Sequence, residues 1–101
     1  MGILDGKIAA ITGGSRGIGR GIAEAYLAAG AKVAINGRNQ DKGDQAIKEM
    51  DAGDRAIFIA GDVTLKKDVQ HFIQGTLDHF GHIDILVNNA GGSSGFAPVA
   101  E

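Results

Sequence analysis

Thr12-Gly13-Gly14-Ser15-Arg16-Gly17-Ile18-Gly19-Arg20 is the stretch whose reading decides the fold of this chain. It follows a short apolar run, Ile8-Ala9-Ala10-Ile11, which reads as a buried strand. It leads into Gly21 to Ala29, where Ile22, Ala23, Ala25, Tyr26 and Leu27 read as a helix. A strand, a glycine-dense turn and a helix in that order make a cradle for an anion. The first N–H groups of a helix lack partners and carry positive partial charge, so a pyrophosphate sits there favourably. The glycines divide the work: Gly13 turns the chain off the strand, Gly17 clears space for a phosphate, and Gly19 lets the helix pack closely on the sheet.

A glycine motif alone is weak in a chain with 17 glycines among 101 residues, so its context matters. The nearest rival is the phosphate loop of nucleotide triphosphatases, because four residues separate Gly14 from Gly19. That motif continues with Lys and Ser or Thr, whereas Arg20 and Gly21 follow here, leaving no hydroxyl for magnesium.

Outward from the turn, the chain alternates. Lys32 to Asn36 reads as a second strand, Asn39 to Met50 as a helix, Arg55 to Ala60 as a third strand buried on both faces. Leu65 to Phe80 reads as the longest helix, capped by Thr64, with Leu65, Val69, Phe72, Ile73, Leu77 and Phe80 as its apolar stripe. Ile83 to Asn88 is the fourth strand. Strands and helices in this alternation predict an α/β fold, the first half of a Rossmann-like doubly wound parallel sheet in the order 3-2-1-4. Residues 1–91 are expected to form the half-domain and 92–101 a loop or tail. The first and fourth strands are then neighbours at the switch point, and their carboxyl ends open on one crevice.

Composition narrows the function. A net charge of −2 offers no electrostatic footprint for nucleic acid or an acidic membrane surface. No apolar stretch approaches a bilayer span, and the absence of cysteine rules out disulfides and thiolate metal sites. The expected location is the cytoplasm.

The end of the second strand distinguishes two dinucleotides. An NAD site places Asp or Glu about twenty residues past the glycines, to accept from the ribose 2′-hydroxyl. That window holds Asn36, Gly37, Arg38 and Asn39, with no acid before Asp41. Arg38, helped by Arg16, suits a 2′-phosphate and favours NADP(H) over NAD. The plain alternative is that both arginines are solvated surface groups.

Two further pieces complete a pattern: Gly61-Asp62-Val63 after the third strand and Asn88-Asn89-Ala90-Gly91 after the fourth. With Thr12-Gly-x-x-x-Gly17-x-Gly19, they resemble the classical short-chain dehydrogenase/reductase family from about Lys7 to Gly91. The resemblance implies that Asp62 meets the adenine amino group and Val63 packs on the ring. It implies that Asn89, Ala90 and Gly91 line the ribose and nicotinamide end, and that Thr12 ties the first strand to the Asn-Asn-Ala-Gly turn. The expected cofactor-binding set is Gly13, Ser15, Arg16, Gly17, Ile18, Gly19, Arg38, Asp62, Val63, Asn89, Ala90 and Gly91. Asp62 could instead cap the next helix, and Asn88 and Asn89 could be turn formers.

The family's catalytic Ser and Tyr-x-x-x-Lys are not matched here. The one tyrosine, Tyr26, has Gly30 four residues on, and reads as a packed or half-exposed helix residue. Ser93 and Ser94 lie in the tail, and His71, His79 and His82 read as solvated surface without an acid-base partner. No catalytic residue is assigned. A sheet ending at the fourth strand leaves an apolar edge open. The chain is therefore expected to be the NADP(H)-binding fragment of a longer reductase acting on a carbonyl or secondary alcohol, 3-oxoacyl thioesters among the candidates. Alternatives are a dinucleotide-binding module without turnover, and an interaction protein that self-associates or pairs with a missing half through that edge.

Overall fold

The computed structural model describes residues 2–13 and 17–89. Four strands alternate with three helices: β1 (Ile8–Thr12), α1 (Gly17–Ala28), β2 (Lys32–Gly37), α2 (Gln40–Met50), β3 (Ala56–Ala60), α3 (Lys66–Phe80) and β4 (Ile85–Asn88). A single turn of 3-10 helix, Gly53–Arg55, leads into β3. The sheet order is β3-β2-β1-β4 and all three pairings are parallel, as the alternation predicts.

Successive side chains on a strand point to opposite faces, and the core splits accordingly. On one face Ala9, Ile11, Val33, Ile35 and Val87 pack with Ala23 and Leu27 of α1 and Ala46 of α2. On the other, Ala10 and Ala34 pack with Phe72 of α3, flanked by Ile57, Ile59, Phe80, Ile83 and Leu86. β1 is buried along its whole length because strands and helices surround it. Tyr26 is half-buried and packs against the first of these clusters, as expected of a helix residue.

Several local expectations shift. β3 is largely half-buried rather than covered on both faces, because the sheet order puts it at the margin. Thr64 does not cap α3: Leu65 takes that position without a side-chain bond, and Thr64 turns back to Asp62. The apolar stripe of α3 is only partly covered, with Leu65 and Val69 exposed. α2 starts one residue later than expected because Asn39 is its cap, accepting the Lys42 N–H at 3.0 Å. β4 is shorter than Ile83 to Asn88, so the edge it presents is four residues long.

Side chains pin β4 to β1 at both ends. At the amino end, Asp84 brackets Ile8: its carboxylate accepts the Ile8 N–H at 2.8 Å, and its own N–H donates to the Ile8 carbonyl at 2.8 Å. His82 Nε2 lies 2.9 Å from the same carboxylate oxygen, so this histidine has an acidic partner that its spacing did not suggest. The Ile8 N–H, then the His82 charge, hold the Asp84 carboxyl below the usual carboxylate range. Arg55 performs a similar service between α1 and β3. Its guanidinium donates to the carbonyls of Leu27 and Ala31, where the end of α1 has acceptors to spare.

Candidate functional site

Parallel pairing places the carboxyl ends of all four strands on one side of the sheet: Thr12 is in register with Asn88, and Gly37 with Ala60. Gly13, Arg38, the Gly61-Asp62-Val63 turn and Asn89 therefore share one edge, and α1 begins there. The sequence separation among these residues is large, and the topology removes it.

Two of the motif's glycines hold left-handed backbone, and a third sits where nothing larger fits. Gly13 has φ 68° and Gly17 φ 62°, backbone that side-chain-bearing residues rarely adopt. Among the described residues, a Cβ on Gly17 would meet nothing within 4 Å. Gly19 is different in kind. A Cβ there would stand 2.3 Å from the Gly13 carbonyl oxygen and 2.7 Å from Asn89 Nδ2. Any side chain at 19 would push α1 off both β1 and the end of β4. Ile18, 71% exposed, presents a large apolar side chain at the start of α1.

Thr12 makes the tie between β1 and the Asn88-Asn89 turn. Its buried hydroxyl accepts the Asn89 N–H at 2.8 Å and lies 3.2 Å from Asn88 Oδ1. The two sides of the crevice are thus joined by one oxygen.

At the far side, Asp62 does not cap α3. Its Oδ1 accepts from both the N–H (3.0 Å) and the hydroxyl (2.6 Å) of Thr64, closing a two-residue turn. The Thr64 hydroxyl is the chief reason that the Asp62 carboxyl sits below its ordinary range, followed by the Thr64 N–H. Arg38 adds its positive charge as a smaller contribution, which places the guanidinium in the field of Asp62. Arg38 is exposed and forms no ion pair among the described residues. Arg20 is engaged instead: it bridges Glu24 at 2.9 Å and Glu49 at 2.7 Å, linking α1 to α2.

Of the expected set, Gly13, Gly17, Ile18, Gly19, Arg38, Asp62, Val63 and Asn89 come to one edge. Ser15, Arg16, Ala90 and Gly91 lie outside the described residues, as does the tail at 92–101. Two residues at this edge have roles that the sequence reading did not give them. Asn36 is buried at the end of β2 and donates to the carbonyls of Ile59 and Gly61, both at 3.1 Å. Asp68, in the first turn of α3, accepts the Asp62 N–H at 2.7 Å. The signal for Asn36 was an amide inside an otherwise apolar strand.

The donor set fits a dinucleotide. The start of α1 offers N–H groups, an exposed arginine stands beyond β2, and a carboxylate and a valine stand beyond β3. Among the described residues no cluster of acids and histidines could hold a metal ion, and no helix is long and apolar enough to cross a membrane.

Sheet order and crevice together define a Rossmann-like, doubly wound α/β unit with its ligand edge at the switch point between β1 and β4. Comparison with known proteins gives the family. The short chain dehydrogenase family matches over residues 7–101, and the chain belongs to it. It is 46% identical over 90 residues to a hydroxynaphthalene reductase-like protein Arp2 of Metarhizium acridum, covering 87% of this chain and 34% of that protein. It is 43% identical over 91 residues to 15-hydroxyprostaglandin dehydrogenase [NAD(+)] of Homo sapiens, covering 87% of this chain and 34% of that one. Among solved structures, the 3-ketoacyl-(acyl-carrier-protein) reductase of Brucella melitensis, complexed with NADH, superposes with a TM-score of 0.81 at 41% identity, over 87% of this chain and 35% of that one. The C-domain of a bacterial malonyl-CoA reductase with NADP gives 0.85 at 35% identity, over 91% of this chain and 16% of that one. The chain thus spans about a third of the length of the curated relatives it matches.

Proposed function

We propose that this chain is the NADP(H)-binding portion of a short-chain oxidoreductase that, as a whole, exchanges hydride with a carbonyl or secondary alcohol. The observation that carries the reading is Arg38: an exposed guanidinium with no ion pair among the described residues, just past β2, where no carboxylate precedes Asp41. The relatives do not choose between the dinucleotides, since one solved neighbour carries NADH and another NADP. The choice of NADP(H) rests on the chemistry of residues 36–41, because a 2′-phosphate wants a guanidinium and a free 2′-hydroxyl wants an acid.

When bound, the nicotinamide ring supplies the hydride. This chain's residues bind and orient. The N–H groups at the start of α1, with Gly13, Ser15, Gly17, Ile18 and Gly19, would hold the diphosphate; Arg38 and Arg16 would hold the 2′-phosphate. Asp62 would accept from the adenine amino group while Val63 packs on the ring, and Asn89, Ala90 and Gly91 would line the nicotinamide end. A 3-oxoacyl thioester is one substrate class consistent with the ketoacyl reductase neighbour. A second reading is a dinucleotide binder without turnover; within this chain Tyr26 packs half-buried against the core and has no lysine four residues on, so it is not assigned as a proton donor.

Fluorescence titration with NADPH and NADH tests the proposal. NADPH should bind about tenfold or more tightly, the worth of one charge-assisted phosphate contact. Equal affinities, or a preference for NADH, would refute the assignment of Arg38.

A further inference from the structure

The peptide unit joining Gly61 to Asp62 is gripped by side chains from two different elements. Its carbonyl oxygen accepts from Asn36 Nδ2 at 3.1 Å, and its N–H donates to Asp68 Oδ2 at 2.7 Å. The strand ladder adds a third hold, from the Gly61 N–H to the Gly37 carbonyl at 3.0 Å. Asn36 spends its other amide hydrogen on the Ile59 carbonyl, so both of its donors serve the end of β3. Burying an amide among Val33, Ala34 and Ile35 is costly unless both donors are used, and an apolar side chain would serve the core at lower cost. At 2% exposure, Asn36 touches no solvent that could substitute. Asp68 also crowds the same point: a Cβ on Gly61 would stand 3.3 Å from its own Cβ.

We propose that Asn36 and Asp68 are positioning residues for the adenosine half of the cofactor, an inference that rests on the cofactor reading above. Asn36 lies two residues before Arg38, and the peptide it grips carries Asp62. One buried amide therefore sets the placement of the guanidinium at the end of β2 relative to the carboxylate at the end of β3. Asp68 fixes the same peptide from the α3 side. Both Thr64 bonds end on Asp62 Oδ1, which leaves Oδ2, with no bond among the described residues, for its ligand on a peptide held from three sides.

The test uses the full chain and two probes: 2′,5′-ADP, which carries the adenosine and its 2′-phosphate, and reduced nicotinamide mononucleotide, which lacks both. Asn36→Ala and Asp68→Ala should each weaken 2′,5′-ADP by about five- to tenfold, the worth of one or two lost hydrogen bonds, and leave the mononucleotide unchanged. Asp68→Asn keeps an acceptor oxygen and should restore wild-type affinity. Equal losses for both probes, or no loss for either, would overturn the inference, because a residue that merely stabilised the fold would not separate them. Should Asn36→Ala fail to fold, the Asp68 pair decides alone. A wild-type chain that ignores 2′,5′-ADP refutes the cofactor reading itself, a result distinct from variants that bind it as wild type does.

Discussion

Replacing Gly19 by alanine isolates the claim that α1 begins hard against the sheet. The added Cβ would stand 2.3 Å from the Gly13 carbonyl oxygen, 2.9 Å from its carbon and 2.7 Å from Asn89 Nδ2. An ordinary carbon–oxygen contact is about 3.3 Å, so the helix start must retreat by about 1 Å. The obstacle is backbone, which cannot rotate away, and overpacking of this kind costs about 1–3 kcal/mol. With contacts of 2.3 Å and 2.9 Å to backbone the cost falls in the upper part of that range, about 2–3 kcal/mol; alanine's better helix propensity returns about 1 kcal/mol, leaving a net loss of about 1–2 kcal/mol. For a domain of this size that is a fall in melting temperature of about 5–15 °C. Gly21 provides the control: it sits two residues further along α1, is exposed, and its Cβ would meet nothing within 4 Å among the described residues. Gly21→Ala should raise the melting temperature by a few degrees, since it gains about 0.5–1 kcal/mol without a clash. Far-UV circular dichroism melts of the two variants should shift in opposite directions. NADPH affinity should fall only for Gly19→Ala, where the amides of the cradle are displaced. A Gly19→Ala protein that melts at or above wild type would refute the close approach.

Two further outcomes are expected. Arg38→Ala should weaken NADPH binding by about 1.5–3 kcal/mol, as befits a lost charge-assisted bond, while NADH affinity stays the same; isothermal titration of both reads the difference, and equal losses would count against the 2′-phosphate contact. Asp84 has a carboxyl held low in the folded chain by the Ile8 N–H and His82, so its stabilisation is present above the usual carboxylate value and disappears as pH falls through the lower folded value. Melting temperature should therefore drop below about pH 4, and Asp84→Asn should melt lower at neutral pH but with a shallower acid decline; parallel acid profiles would exclude that role.

Much of the fold and part of the site were legible in the residues. The run Ile8 to Ile11, the glycines after it and the alternation that follows specify their own geometry locally, and the sheet order then follows from the handedness of parallel crossovers. What escaped depended on partners distant in sequence. The composition of β3 reads as fully buried, yet its place at the margin of the sheet exposes it, and apolar content alone does not report sheet position. Thr64 looks like a helix cap, but a carboxylate two residues earlier captures its hydroxyl first. Leu65 and Val69 follow helical spacing, although nothing among the described residues covers them. Asn36 was read only as a position in the ribose window, counted on from the glycines; the register of β2 on β3 is what turns its amide toward Ile59 and Gly61.

The two side-chain ties between β1 and β4 also bear on how the chain reaches its folded state. Ile8 meets Asp84, and Thr12 meets Asn88, across separations of 76 residues each. Contacts of such high order are slow to form, because the entropy of closing a long loop is lost before the bonds reward it. As the polypeptide emerges from the ribosome, β1, α1, β2, α2 and β3 can assemble by short steps while one flank of the central strand stays vacant. β4, once it follows, completes the mouth of the crevice and its support in a single event, so this end of the sheet takes its final form abruptly and only after the other three strands have paired.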